Sequence, residues 1–157
     1  MDARTIELLV AAGIDREQAE AGALSGAQLG GAFLSRADLS EVDLSGAFLS
    51  RADLSQADLS KANLSDACLI AADLSRADLR QANLRRVALD LADLSGTVLN
   101  GADVRWALFN GTSLKYADFT GADLTGAIVW IGLTAFTIAG QVPLAAQHAG
   151  ASDDDTN

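Results

Sequence analysis

The stretch that decides the fold is Ala52-Asp53-Leu54-Ser55-Gln56-Ala57-Asp58-Leu59-Ser60-Lys61, two copies of one five-residue unit. The unit repeats in a single register along most of the chain. Its central residue runs from Leu24 to Leu124 in steps of five, at 21 positions. Eighteen of these are Leu and the others are Val104, Phe109 and Phe119. Two residues earlier stands a second ladder, Ala in 16 cases and Gly22, Val42, Val87, Thr97 or Thr112 in the rest.

Residues two apart on an extended chain point the same way. The Ala and Leu of each unit therefore face one side, and the Asp or Asn between them faces the other. An α-helix cannot use this pattern, because a step of five against 3.6 residues per turn sweeps the leucines around the whole cylinder. The last two residues of the unit, usually Ser and then Gly, Arg, Lys or Gln, are left to turn a corner, which small and polar residues do well. Each unit is thus one short side of a coil, with a lining of small aliphatic groups.

The A-(D/N)-L-S-x string resembles the pentapeptide-repeat family over about two-thirds of the chain. The resemblance implies an all-β solenoid: a right-handed quadrilateral β-helix with four units and 20 residues per coil, about five coils in all. At the inter-strand spacing of ~4.8 Å such a rod is about 25 Å long. Each buried Leu contributes roughly 1.5–3 kcal/mol, and neighbouring coils share that burial.

Four segments are expected. Residues 1–22 form a short helical N-terminal cap, with Ile6, Leu9, Val10 and Ile14 at helical spacing, Gly13 as a stop and Asp15 as the N-cap of a second helix. A docking helix for a partner is the other reading of this segment. Residues 23–129 form the repeat helix. Residues 130–151 form an apolar cap or interface, and residues 152–157 an acidic, disordered tail. No Asp, Glu, Lys or Arg occurs between Leu124 and Ser152. That stretch has three readings: a cap that doubles as a dimer contact, a segment laid back along the rod, or a membrane span. Its glycines, Thr134, Thr137, Gln141 and Pro143, and the lack of flanking Lys or Arg, weaken the last.

A four-unit coil stacks residues 20 apart, so the outward residues sort into four sides. The first reads Asp43, Asn63, Asn83, Asp103, Asp123; the third Phe33, Asp53, Asp73, Asp93, Ser113; the fourth Asp38, Asp58, Asp78, Val98, Asp118. The second reads Phe48, Cys68, Ala88, Leu108, Ile128, with Ile70, Leu91, Trp106 and Trp130 beside it. A contiguous apolar stripe marks an interaction surface, and aromatic residues at its edge suit an anchor. Phe48, Cys68, Ile70, Leu91, Trp106, Leu108, Ile128 and Trp130 are the candidate interface, for a second copy or another protein. A fold-back of the C-terminal segment over the stripe is the competing reading.

The formal charge of −10 argues against direct binding of nucleic acid or an anionic membrane. Family members that protect DNA gyrase resemble a DNA duplex in shape and charge, and by that resemblance Asp38, Asp58, Asp78 and Asp118 are a candidate mimic ladder. Between residues 24 and 129, however, 13 acidic residues face 9 basic ones. Chemistry is sparse: one cysteine (Cys68), one histidine (His148), serines without a base, and glycines at corners rather than in a phosphate loop. No metal or cofactor site is expected. The expectation is a non-enzymatic scaffold or interaction module, cytoplasmic for want of a signal peptide. It would use its apolar side and C-terminal end for homodimerisation or docking. A gyrase-binding DNA mimic or a membrane-associated repeat protein are the alternatives.

Overall fold

The structure is a computed structural model that describes residues 1–131 and 134–137. Two helices come first: α1 (Ala3–Ala11) and α2 (Arg16–Ala21). Asp2 caps α1 through the Thr5 amide, and Asp15 caps α2 through the amides of Glu17 and Gln18. Gly13 follows α1 at φ +94°, and Gly22 ends α2 in the left-handed region. From Ala23 onward the chain winds in coils of 20 residues. Its parallel contacts join Ala23 to Asp43, Asp43 to Asn63, Gln28 to Phe48, Phe48 to Cys68, and so on to Leu108 with Ile128. The outward residue of every unit is thus a rung, and rungs 20 apart stack as the four-sided reading requires.

Each rung above the first is held by two backbone bonds. On the second side the Leu49 amide donates to the Cys68 carbonyl (2.8 Å) and the Cys68 amide donates back to the Ala47 carbonyl (2.9 Å). Between rungs the chain makes a β-turn, as where the Ala52 amide donates to the Leu49 carbonyl (3.0 Å). The third residue of each such turn takes a positive φ, which defines a type II turn. Glycine serves at Gly46, Gly96 and Gly126, but 13 corners carry a side chain, from Arg36 to Trp106 and Tyr116, at φ 54° to 63°. Left-handed backbone costs an L-residue about 1–2 kcal/mol. It is tolerated because the corner amide also bonds the next coil, as Arg51 does to Ile70 (2.9 Å).

The inward Ala and Leu ladders form one continuous buried core from Leu24 to Ala127. Where Thr replaces Ala, the hydroxyl is satisfied inside the wall: Thr97 Oγ1 donates to the Leu74 carbonyl (2.8 Å) and Thr112 Oγ1 to that of Leu89 (2.7 Å). Phe109 and Phe119 fill the fifth coil edge to face, ring centres 6.3 Å apart. One ladder residue departs from expectation, since Leu114 is 37% exposed. Its rung, Ser113, is the last on the third side among the described residues.

The helices meet the first coil at its lower edge. Leu9, Ile14 and Ala19 join the core. Thr5 is fully buried, and its Oγ1 accepts the Asp38 amide (2.8 Å), the bond that a carbonyl of the preceding coil supplies to Asp58 and Asp78. The Arg4 guanidinium donates to the carbonyls of Ser35 and Arg36.

At the other end the coil gives way to a hairpin of β1 (Ile128–Ile131) and β2 (Thr134–Thr137). Ile128 pairs in parallel with Leu108 and antiparallel with Thr137. A residue with two partners holds them on opposite edges, so β2 continues the second side by one reversed rung. The uncharged stretch was open to a cap, a fold-back or a membrane span, and its first part is this hairpin. Among the described residues no helix is long and apolar enough to cross a membrane. Residues 138–151 and the acidic tail at 152–157 lie outside the described residues.

Replacing Thr5 by the isosteric Val should leave the Asp38 amide without its acceptor. A loss of about 1–3 kcal/mol is expected in urea denaturation, with Thr5→Ser close to the parent. At an exposed corner, Ala71→Gly should raise stability, by up to about 1 kcal/mol, because φ 57° favours Gly.

Candidate interaction face

The three polar sides share one local device. The carboxylate or amide oxygen of the outward residue accepts the backbone amide two residues on: Ser45 to Asp43 (3.0 Å), Ser55 to Asp53 (3.0 Å), Ser60 to Asp58 (2.9 Å), Ser95 to Asp93 (2.8 Å). Asp and Asn favour this local turn bond. It spends the carboxylate on the corner rather than offering it to a partner. The bonds hold Asp43 and Asp93 below the ordinary carboxylate range, chiefly through Ser45 and Ser95. For Asp103 the chief cause is its bond from the Arg105 side chain (2.7 Å).

The candidate mimic ladder follows the same rule. Asp38 accepts from the amide and hydroxyl of Ser40, and Asp58 from the Ser60 amide. Asp78 is paired with the Arg80 guanidinium, which lowers its pKa. Asp118 accepts from Asn100 (2.9 Å) and Thr120 (2.6 Å). Val98 interrupts the row between Asp78 and Asp118. Ion pairs also run up the corners: Lys61 with Glu41 (2.9 Å) and Arg86 with Asp66 (2.7 Å).

The second side has none of these carboxylates. Its rungs Gln28, Phe48, Cys68, Ala88, Leu108 and Ile128 are continuous. Phe48 is 51% exposed, and Cys68, Ala88, Leu108 and Ile128 are half-buried. Trp106, 54% exposed, stands at the corner before this side; Ile70 and Leu91 (67% exposed) stand at the corner after it. The structure therefore brings seven of the eight candidate interface residues onto one side and its two edges. The Trp130 side chain lies outside the described residues, although its backbone is in β1.

Two glycines shape the edges. The Trp106 ring lies where a Cβ on Gly126 would stand, and the Leu91 Cδ2 would be 2.9 Å from a Cβ on Gly111. Both large side chains lean onto a glycine of the next coil. Cys68 Sγ contacts Ser50 Oγ (3.2 Å).

Features that the repeat pattern did not announce are a groove of about 250 Å³ between α1 and the first coil, lined by Leu8, Ala11, Ala12, Gly31, Ala32 and Phe33, and the buried Asn110 Oδ1, which has no partner. Among the described residues no group of His, Cys, Asp or Glu could hold a metal. His148 lies outside them.

A four-sided coil of 20 residues, lined with Ala and Leu and cornered by left-handed turns, defines a β-helical repeat protein. The chain belongs to the pentapeptide repeats family, which matches in 8 copies over residues 23–56, 37–76, 49–86, 72–111 and 88–126. Members of this family fold as right-handed quadrilateral β-helices and serve generally as structural or interaction modules.

Among solved structures, the chain is similar to a pentapeptide repeat protein from the Arabidopsis thaliana thylakoid lumen, with 32% identity over 57% of this chain and 63% of that one, TM-score 0.42. It is similar to one from Nostoc Pcc 7120, with 41% identity over 55% and 68%, TM-score 0.38. A third is HetL of Nostoc sp. strain PCC 7120, a pentapeptide repeat protein involved in heterocyst differentiation regulation, with 30% identity over 67% and 71%, TM-score 0.21. The chain spans less than two thirds of the thylakoid protein's length. No curated protein matches it.

Acid should weaken the rod. A carboxylate whose pKa is lower folded than unfolded stabilises the fold above the unfolded value, and that gain is lost as pH falls through the folded one. Urea midpoints should hold between pH 7 and 5 and fall below about pH 4, and Asp103→Asn should make that fall shallower.

Proposed function

We propose that this chain is a cytoplasmic, non-enzymatic interaction module, a rigid rod that joins a second copy of itself through its second side and C-terminal end. The observation that carries this reading is the continuous apolar row Phe48, Cys68, Ala88, Leu108 and Ile128, edged by Ile70, Leu91 and Trp106, on a coil whose other sides are mostly Asp and Asn. Monomers rarely expose such a row. The edge supplies a large aromatic anchor, the kind of residue that dominates binding energy at interfaces.

The two ends support the same reading. Residues 1–22 act as a lid, since Thr5 takes the place of a missing coil and an open edge would invite stacking. The repeat helix runs over 23–129, and β2 extends the interface past the top rung, where it continues the second side. The mimic ladder gains no comparable support, because its carboxylates bond their own corners and Val98 divides them.

Native mass measurement tests the proposal. The parent chain is expected as a dimer, and Trp106→Asp and Leu108→Asp as monomers with an unchanged circular dichroism spectrum. A parent that stays monomeric, or variants that keep the dimer mass, would sink it.

A further inference from the structure

Resting on the reading that the second side joins two copies, we infer its register: the two rods lie antiparallel, face to face, about a two-fold axis that crosses the side midway between the Cys68 and Ala88 rungs. The six rungs joined in parallel run from Gln28 to Ile128, and that point is their midpoint. An axis there covers all six, with the β2 rung left past the Gln28 end of the second copy: Gln28 meets Ile128 of the second copy, Phe48 meets Leu108, and Cys68 meets Ala88. At ~4.8 Å per rung the contact is about 24 Å long. Symmetry makes it isologous, so each pair occurs twice.

The edges agree with this register. An axis running across the side brings each corner against the same corner of the second copy, reversed in order. The corner before the second side carries Gly26, Gly46, Asp66, Arg86, Trp106 and Gly126. Reversed about the midpoint, Asp66 meets Arg86 of the second copy and Arg86 meets its Asp66. The two intramolecular pairs, each bonded at 2.7 and 2.8 Å, become one cluster of four alternating charges. Trp106 meets Gly46, where a Cβ would find nothing within 4 Å. At the other corner Leu91 meets Ala71. Ile70 meets Asp90, whose carboxylate already accepts from Asn110.

The neighbouring arrangements fit worse. An axis through the Cys68 rung opposes Asp66 to Asp66, and one through the Ala88 rung opposes Arg86 to Arg86. Like charges set against each other suppress a pairing, and opposite charges fix its register.

Charge reversal of the two edge residues separates these cases, since both side chains are exposed (51% and 65%) and neither is needed for the core. Asp66→Arg alone should oppose Arg to Arg twice, and Arg86→Asp alone should oppose Asp to Asp twice. Each should weaken the dimer by roughly tenfold per contact, about 100-fold in all, by sedimentation at low salt. An equimolar mixture of the two variants should restore a heterodimer near parental affinity. The arginine introduced at position 66 of one copy then faces the aspartate introduced at position 86 of the other, and the native Arg86 of the first faces the native Asp66 of the second. Neither variant retains its intramolecular pair, so recovery on mixing can come only from contacts between copies. Singles that dimerise like the parent, or a mixture that stays monomeric, would overturn the register. If the register alone is wrong, Trp106→Asp still dissociates the parent dimer. A parent that is monomeric removes the register and the interaction face together.

Discussion

Everything in this rod depends on the corner. Every fifth residue must take a left-handed backbone so that an extended triplet can turn and begin the next side. Glycine accepts that conformation freely, but 13 corners carry L side chains that do not. The cost is offset by geometry repeated at each turn: the turn bond, the bond from the corner amide to the next coil, and, on the polar sides, an Asp or Asn oxygen on the amide between them. The same corners deliver Ala and Leu inward and one residue outward per side. Core and surface therefore follow from a single constraint.

That constraint explains why the surface sorts into sides. With 20 residues per coil, a choice made at one rung is read against rungs one coil away rather than against its neighbours in sequence. Asp at an outward position solvates the side and pins its own corner. A hydrophobic residue there forgoes that bond. Five such residues in succession on one side, Phe48 to Ile128, break a pattern that the other sides largely keep, and they do so beside Trp106 and Leu91. The repeat supplies the frame, and this row is where the chain departs from its own Asp and Asn rungs.

Much of this was legible in the residues because the signal is local and repeated. The spacing of Leu54 and Leu59, the Ala two before each, and the small corner residues carry the coil. The 20-residue period alone places Phe48, Cys68, Ala88, Leu108 and Ile128 on one side. The helices were also legible, through Asp15, Gly13 and the spacing of Leu9 and Ile14. What escaped is long-range. Thr5 reads as an ordinary helix residue, and nothing local marks its hydroxyl as the acceptor for Asp38. Leu114 is identical to other ladder leucines, and nothing in its unit marks it as exposed. The β1–β2 hairpin lies in a uniformly apolar stretch, where periodicity cannot tell strand from helix. The lean of Trp106 onto Gly126 needs two residues 20 apart to be seen together.

The central claim is that function lies in a side created by the 20-residue period, and changing that period tests it directly. Duplicating residues 70–74 in place adds one unit, keeps every corner and core position in pattern, and turns everything above it by one side. Phe48 and Cys68 then part from Ala88, Leu108 and Ile128. Duplicating residues 70–89 adds a whole coil and leaves the apolar row in line. The native masses of the two chains should differ: both fold as β-helices, the one-unit insertion is a monomer, and the whole-coil insertion is a dimer. Equal dimerisation by both would contradict the account.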